Sequence, residues 1–205
     1  MKVLIINGSP HASGNTATAL NEMAKVFEAE GVEVKIVQAG NKAVRGCVAC
    51  GKCKELGRCV FNDVVNETAP LFEEADGFVI GTPVYFSSAN GTLVSFLDRL
   101  FFSTNFDKTM KVGASVAVAR RGGSSATFDE LNKYFTNCSM AIAGSQYWNM
   151  VYGLVPGDAE KDGEGLQTMR TLARNMTFLM KSIALGKEKF GLPEKETRIA
   201  THFIR

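Results

Sequence analysis

Four of the chain's five cysteines, Cys47, Cys50, Cys53 and Cys59, fall within thirteen residues as Cys-x2-Cys-x2-Cys-x5-Cys. Thiolates are soft ligands, and four at this spacing can wrap one iron-sulfur cubane, much as a bacterial ferredoxin run does. A structural zinc site usually splits its ligands into two separated pairs, which disfavours zinc. A phosphatase nucleophile loop needs Cys, five residues, then Arg; Cys59 stands where that Arg belongs, and Arg58 comes one position early. The remaining reading is four unligated thiols that pack a long loop. Cys138 stands apart and reads as a plain buried thiol.

A second chemistry is written after the first apolar run, in Asn7-Gly8-Ser9-Pro10-His11-Ala12-Ser13-Gly14-Asn15-Thr16. Small residues let backbone N–H groups approach an anion, and a following helix adds unpaired donors and a favourable dipole. Ser9, Ser13, Asn15 and Thr16 add side-chain donors, without a Lys or Arg to supply full counter-charge. That set suits a phosphate monoester better than a triphosphate with magnesium. A P-loop fails because no Lys follows Gly14, and the dinucleotide Gly-x-Gly fails because Pro10 follows Gly8 by two. Helix capping by Ser13 or Asn15 would explain one or two of these polar residues, but not the run.

Two further loops complement the first. Thr82-Pro83-Val84-Tyr85-Phe86-Ser87-Ser88-Ala89-Asn90 offers a stiff turn and flat apolar surface beside free N–H groups. Arg120-Arg121-Gly122-Gly123 sets paired cations before a helix start, again favourable to an anion. A planar cofactor with a phosphate tail, lying across the three loops, accounts for all of them together.

The elements that must position these loops are short apolar runs alternating with amphipathic stretches. Residues 2–6, 33–37, 77–81, 111–119 and 141–147 read as strands. Leu20, Met23, Ala24 and Phe27 recur at helical spacing, as do Leu93, Phe96, Leu97, Leu100 and Phe101, and Phe128, Leu131 and Phe135. Met169, Leu172, Met176, Met180 and Ile183 trace a long helix expected to end at Gly186. Five strands with helices between them predict a doubly wound α/β domain, a parallel sheet covered on both faces. In such a sheet ligands bind beyond the carboxyl ends of the strands, where the three loops fall. The reading gives one domain over 1–190, with a cysteine-rich loop at 45–62 and a tail at 191–205.

A net charge of +2 gives no electrostatic case for a nucleic-acid or membrane-surface partner. The apolar start, residues 3–6, is shorter than the roughly 7–15 residues of a secretory signal, and no run approaches the ~20 of a spanning helix. The expected location is the cytoplasm, where a tight cysteine cluster serves metal or redox chemistry rather than structural disulfides.

The joint pattern resembles the flavodoxin-like NAD(P)H-dependent FMN reductase superfamily, and within it the iron-sulfur flavoprotein branch. The resemblance covers residues 1 to about 150. It is carried by Gly8-Ser9-Pro10, Gly14-Asn15-Thr16, the cysteine cluster, Thr82-Pro83-Val84-Tyr85-Phe86, Ser95-Phe96-Leu97-Asp98-Arg99 and Arg120-Arg121-Gly122-Gly123. It implies a five-stranded parallel sheet in the order 2-1-3-4-5. It implies that Ser9, His11, Ser13, Gly14, Asn15 and Thr16 bind the FMN phosphate. Pro83, Val84, Tyr85, Phe86, Ser87 and Asn90 would then line the isoalloxazine and ribityl chain, and Arg120, Arg121, Gly122 and Gly123 would close the far side of the ring. Cys47, Cys50, Cys53 and Cys59 would hold a 4Fe–4S centre. His11 departs from relatives that carry Arg there; a neutral imidazole can still hydrogen-bond a phosphate.

The activity implied is hydride transfer from NAD(P)H to FMN, then electron delivery to a quinone, flavin, azo or nitro compound, or to a redox partner where a cluster is present. The chemistry is the cofactor's, so no catalytic side chain is required, and His11 and His202 suggest no dyad. A homodimer or homotetramer is expected, since flavin sites in this superfamily are often completed by a neighbouring subunit. The rival is a non-enzymatic carrier of the flavodoxin type. Such carriers are strongly acidic, and this chain is not.

Overall fold

The computed structural model describes residues 1–197, 199–201 and 203. Its centre is a twisted sheet in which β1 (Lys2–Asn7) lies between β2 (Glu33–Gln38) and β3 (Gly77–Tyr85), followed by β5 (Val112–Ala119). All these pairs are parallel. The next position is shared by two stubs: β6 (Ala141–Ile142) pairs with the start of β5, and β7 (Met150–Tyr152) pairs with its end. The order is therefore the doubly wound 2-1-3-4-5 of flavodoxin-like sheets, with the fifth strand broken. A two-residue β4 (Ser88–Ala89) folds back antiparallel on the end of β3.

The alternation of side chains along each strand divides the core into two layers. Val3, Ile5, Val79, Val112, Ala114, Val116 and Val118 face α1 (Asn15–Ala29) and α6 (Gly163–Phe190). Leu4, Ile6, Phe78 and Ile80 face the other way, against α3 (Val64–Glu74), α4 (Gly91–Ser103) and α5 (Ser124–Thr136). Phe72, Phe78, Phe101 and Phe106 interlock there, with neighbouring centroids 4.2 to 5.7 Å apart. Truncating such a buried ring to Ala costs about 3–5 kcal/mol.

Three local results differ from the sequence reading. The strand expected over 141–147 stops at Ile142, and residues 143–149 leave the sheet before β7. Asn149 covers the gap: its side-chain amide donates to the Ser115 carbonyl at 3.1 Å, and its own carbonyl accepts from Ala117 N–H at 3.0 Å. The last helix runs through Gly186 to Phe190 and stops at Gly191, whose φ of 77° suits glycine. Helix α3 is an addition to the sequence reading; Pro70 lies inside it and removes one helical hydrogen bond. Asp63 starts that helix, its side chain accepting from Val65 N–H at 3.1 Å. The described part of the tail lies outside the helices and touches the body through Lys195 and Asp107, 2.6 Å apart. His202 is outside the described residues. Among those residues no helix is long and apolar enough to cross a membrane.

Candidate functional site

The carboxyl ends of β1, β3 and β5 open onto a cavity of about 350 Å³ lined by Ser9, His11, Gly14, Asn15, Thr16, Pro83, Val84, Tyr85 and Arg120. The three loops read as one site thus meet in one cavity. It lies within the roughly 300–1,000 Å³ common for cofactor pockets. Its remaining walls, Val118 and the strap Gly153, Leu154 and Pro156, were not foreseen. The only local signal was a Gly and a Pro close together after the last strand.

The floor is the start of α1. Helices α3, α4 and α6 each begin with a side chain that accepts a first-turn N–H, namely Asp63, Asn90 and Asp162. Helix α1 begins at Gly14, as α5 does at Gly123, with no such side chain and no acidic residue in its first turn. Its leading N–H groups and the positive end of its dipole therefore face the cavity, the arrangement that binds a phosphate.

The approach loop is held in shape by its neighbours. Ser9 N–H donates to Asn7 Oδ1 at 3.0 Å, the Ser9 carbonyl accepts from Gln38 Nε2 at 2.5 Å, and Ser9 Oγ accepts from His11 N–H at 3.1 Å. A hydroxyl that accepts still has its own proton to donate, so Ser9 can also serve a ligand. Asn15 is differently engaged. Its Nδ2 donates to the Val155 carbonyl at 3.0 Å and its Oδ1 accepts from Ala159 N–H at 3.2 Å, so the side chain ties the strap across α1.

The remaining predicted residues flank the cavity without lining it. Asn90 caps α4, accepting from Thr92 and Leu93 N–H. Ser13, Phe86, Ser87, Arg121, Gly122 and Gly123 lie outside the lining. Phe86 and Ser87 form the β3–β4 turn with φ of 51° and 61°, a left-handed conformation that costs a non-glycine residue roughly 1–2 kcal/mol. The Phe86 ring is fully exposed, so packing on it does not offset that cost. Gly123, at φ 86°, presses on this turn: a Cβ there would stand 2.7 Å from Ser87 Cα.

The cysteine loop lies on the α4 side of the sheet. Its chain turns through left-handed positions at Ala49, Gly51 and Gly57, on either side of the short helix α2 (Cys53–Leu56). All four thiols border one small cavity, walled by Val48, Val60 and Phe102 and by Arg99. The donor set, four thiols without carboxylate or imidazole, fits an iron-sulfur centre. As the side chains stand, no three Cys, His, Asp or Glu side chains among the described residues are grouped closely enough to hold a metal ion.

Arg99 fixes one end of that loop. It is 1% exposed, and every one of its five N–H donors has an acceptor. Two pair with Asp63 at 2.7 and 2.9 Å, two reach the Arg45 and Phe61 carbonyls at 3.3 Å, and Nε donates to Cys59 Sγ at 3.3 Å. Burial alone would lower its pKa, yet Asp63 and Cys59 raise it, so the guanidinium stays charged. Asn66 boxes Cys59 from the other side, bonding its N–H and its carbonyl. Cys53 is buried, whereas Cys47 and Cys50 are exposed. A larger groove, about 690 Å³, runs between α4 and α5 beside Cys47. Cys138 lines this groove, and burial raises its pKa.

The model of the family described as NADPH-dependent FMN reductase matches residues 1–154. The chain belongs to that family. Within it the chain is 34% identical, over 191 residues, to an iron-sulfur flavoprotein of Methanocaldococcus jannaschii, covering 89% of this chain and 99% of the relative. That places it in the iron-sulfur flavoprotein branch. Among solved structures, RosB with bound 8-demethyl-8-formylriboflavin-5′-phosphate superposes with a TM-score of 0.70 at 16% identity, covering 100% of this chain and 94% of RosB. An NAD(P)H:quinone oxidoreductase from Methanothermobacter marburgensis gives 0.65 at 16% identity, covering 86% and 96%. At such identity these two speak for the flavodoxin-like fold alone.

Proposed function

We propose that the protein is an FMN-dependent oxidoreductase that takes a hydride from NAD(P)H and delivers electrons to a small acceptor such as a quinone, flavin, azo or nitro compound. The observation that carries this reading is the uncapped start of α1 at the floor of a cofactor-sized cavity, at the sheet's switch point. Bound FMN would supply the redox chemistry, accepting the hydride and passing electrons on. The chain's part is to bind, orient and shield. The first-turn N–H groups of α1, with Ser9 and Thr16, hold the phosphate. Pro83, Val84 and Tyr85 form an apolar wall for the ring, and the strap at Gly153, Leu154 and Pro156 limits water. Arg120 places a cation at the rim, where it favours added negative charge.

Cys47, Cys50, Cys53 and Cys59 are the ligands of a 4Fe–4S centre in this proposal. Buried Cys53, together with Cys59 held by Arg99 and Asn66, would supply two of the ligands, and exposed Cys47 and Cys50 the other two. Such a centre would relay single electrons to a redox partner. The working form is a homo-oligomer, which would cover the exposed rings of Tyr85, Phe86, Tyr147 and Trp148.

The test is anaerobic purification with a visible spectrum and iron and sulfide analysis, before and after NADPH. A yellow protein bleached by NADPH is the expected result, with iron and sulfide in equal amounts. Colourless protein that ignores added FMN overturns the function, and yellow protein without iron overturns only the cluster. Flavin that neither nicotinamide reduces would make the protein a carrier instead.

A further inference from the structure

Glu130 stands on α5, behind the β3–β4 hairpin, and its carboxylate is engaged by that hairpin. Ser88 Oγ donates between the two carboxylate oxygens, 3.0 Å from Oε1 and 2.8 Å from Oε2. Ala89 N–H donates to Oε2 at 2.9 Å. Bonds to an ionised acceptor are the stronger kind, and these reach both residues of β4.

The hairpin needs such a hold. It is two residues deep, and so short a ribbon is not stable by itself. Its turn residues, Phe86 and Ser87, are both left-handed without being glycine. Gly123 bears on the turn from the loop before α5, and Asn90 N–H ties the return strand to Thr82 Oγ1 at 3.0 Å. The outgoing strand of this hairpin carries Pro83, Val84 and Tyr85, which wall the cavity over the α1 terminus. Glu130 is not part of that cavity; it borders the groove between α4 and α5.

We infer that Glu130 is a positioning residue of the FMN site, setting through Ser88 and Ala89 the stance of the wall formed by Pro83, Val84 and Tyr85. The inference rests on the FMN reading proposed above. Glutamine at this position keeps the shape: its carbonyl can accept from Ala89 N–H and its amide can donate to Ser88 Oγ. Alanine removes both contacts.

The experiment titrates FMN into wild type, Glu130→Gln, Glu130→Ala and Ser88→Ala by quenching of flavin fluorescence. Hydrogen exchange at the Ala89 amide and thermal melting are followed in the same proteins without FMN. Glu130→Ala is expected to weaken FMN at least tenfold and to speed exchange at Ala89 at least tenfold, with an unchanged melting temperature. Glu130→Gln should restore both to within threefold. Should Glu130→Ala not fold, Ser88→Ala, which leaves the Ala89 bond, should weaken FMN about threefold. Wild-type affinity in folded Glu130→Ala, or in Ser88→Ala where the former does not fold, overturns the inference and leaves the flavin function standing. Wild type that binds no FMN overturns both.

Discussion

Arg99 donates its Nε–H to the sulfur of Cys59 across 3.3 Å while its other four donors are held by Asp63 and two carbonyls. One buried cation thus joins α4, the start of α3 and the last cysteine of the loop. Arg99→Leu removes the partner of Asp63 and frees the loop, at an expected cost of about 3–5 kcal/mol. Urea unfolding measures it. Alkylation of Cys59 in the folded variant should approach the rate of exposed Cys50; an unchanged Cys59 rate would show that Arg99 does not hold the loop.

Gly14 lies in an extended conformation open to other residues, φ −90° and ψ −169°. Gly14→Asp therefore gives α1 the side-chain cap it lacks, for a gain of a few tenths of a kcal/mol. The same carboxylate sits where the phosphate is proposed to bind. FMN affinity should fall about 100-fold, equivalent to roughly 2.8 kcal/mol, while the melting temperature holds or rises. Equal affinity in the two proteins would remove the phosphate from the α1 terminus.

Phe86→Gly relieves a left-handed φ of 51° at a ring that packs on nothing in the fold. Relief of roughly 1–2 kcal/mol is offset by about 0.5–1 kcal/mol of glycine entropy. The variant should melt higher, yet kcat/KM toward NAD(P)H or an aromatic acceptor should drop at least fivefold. Stability and activity that rise together would show that the ring serves neither substrate.

Glu22 on α1 receives a 2.6 Å bond from Arg170 on α6, which holds its carboxyl below the ordinary value of 4.5. A depressed carboxylate contributes stability that is present above its unfolded pKa and is lost as pH falls through the folded one. Glu22→Gln should therefore melt lower than wild type at pH 7, and the gap should close in acid, below about pH 4. A gap that is constant with pH would exclude the ion pair as its source.

The sheet and its two-layer core are legible in the sequence, because period-two and period-3.6 patterns are local and strong. That Ser9, Gly14 and Thr16 border one cavity is legible for a similar reason: they occupy one continuous loop between a strand and a helix. What escapes is pairing between distant positions. Asn15 reads as a phosphate donor until Val155 and Ala159 arrive at its amide, and nothing local to Glu130 announces the bonds it accepts from Ser88 and Ala89. The broken fifth strand escapes because Ala143, Tyr147 and Trp148 have strand-like character, while the bond that carries the chain past them belongs to Asn149 and Ser115. Helix α3 has no comparably strong signal: Pro70 interrupts its stretch, and its start rests on the one capping side chain of Asp63.

The stubs β6 and β7 also bear on how copies of the chain behave at high concentration. A sheet border is a row of unpaired amides that can template growth by an incoming strand, and growth needs several consecutive rungs. Here one border is interrupted after two residues and resumes for only three, with Asn149 closing the gap between them. The opposite border, β2, carries Glu33 and Lys35. Neither side offers a long uncharged template, so the sheet is built to stop at its own edges rather than propagate into fibres.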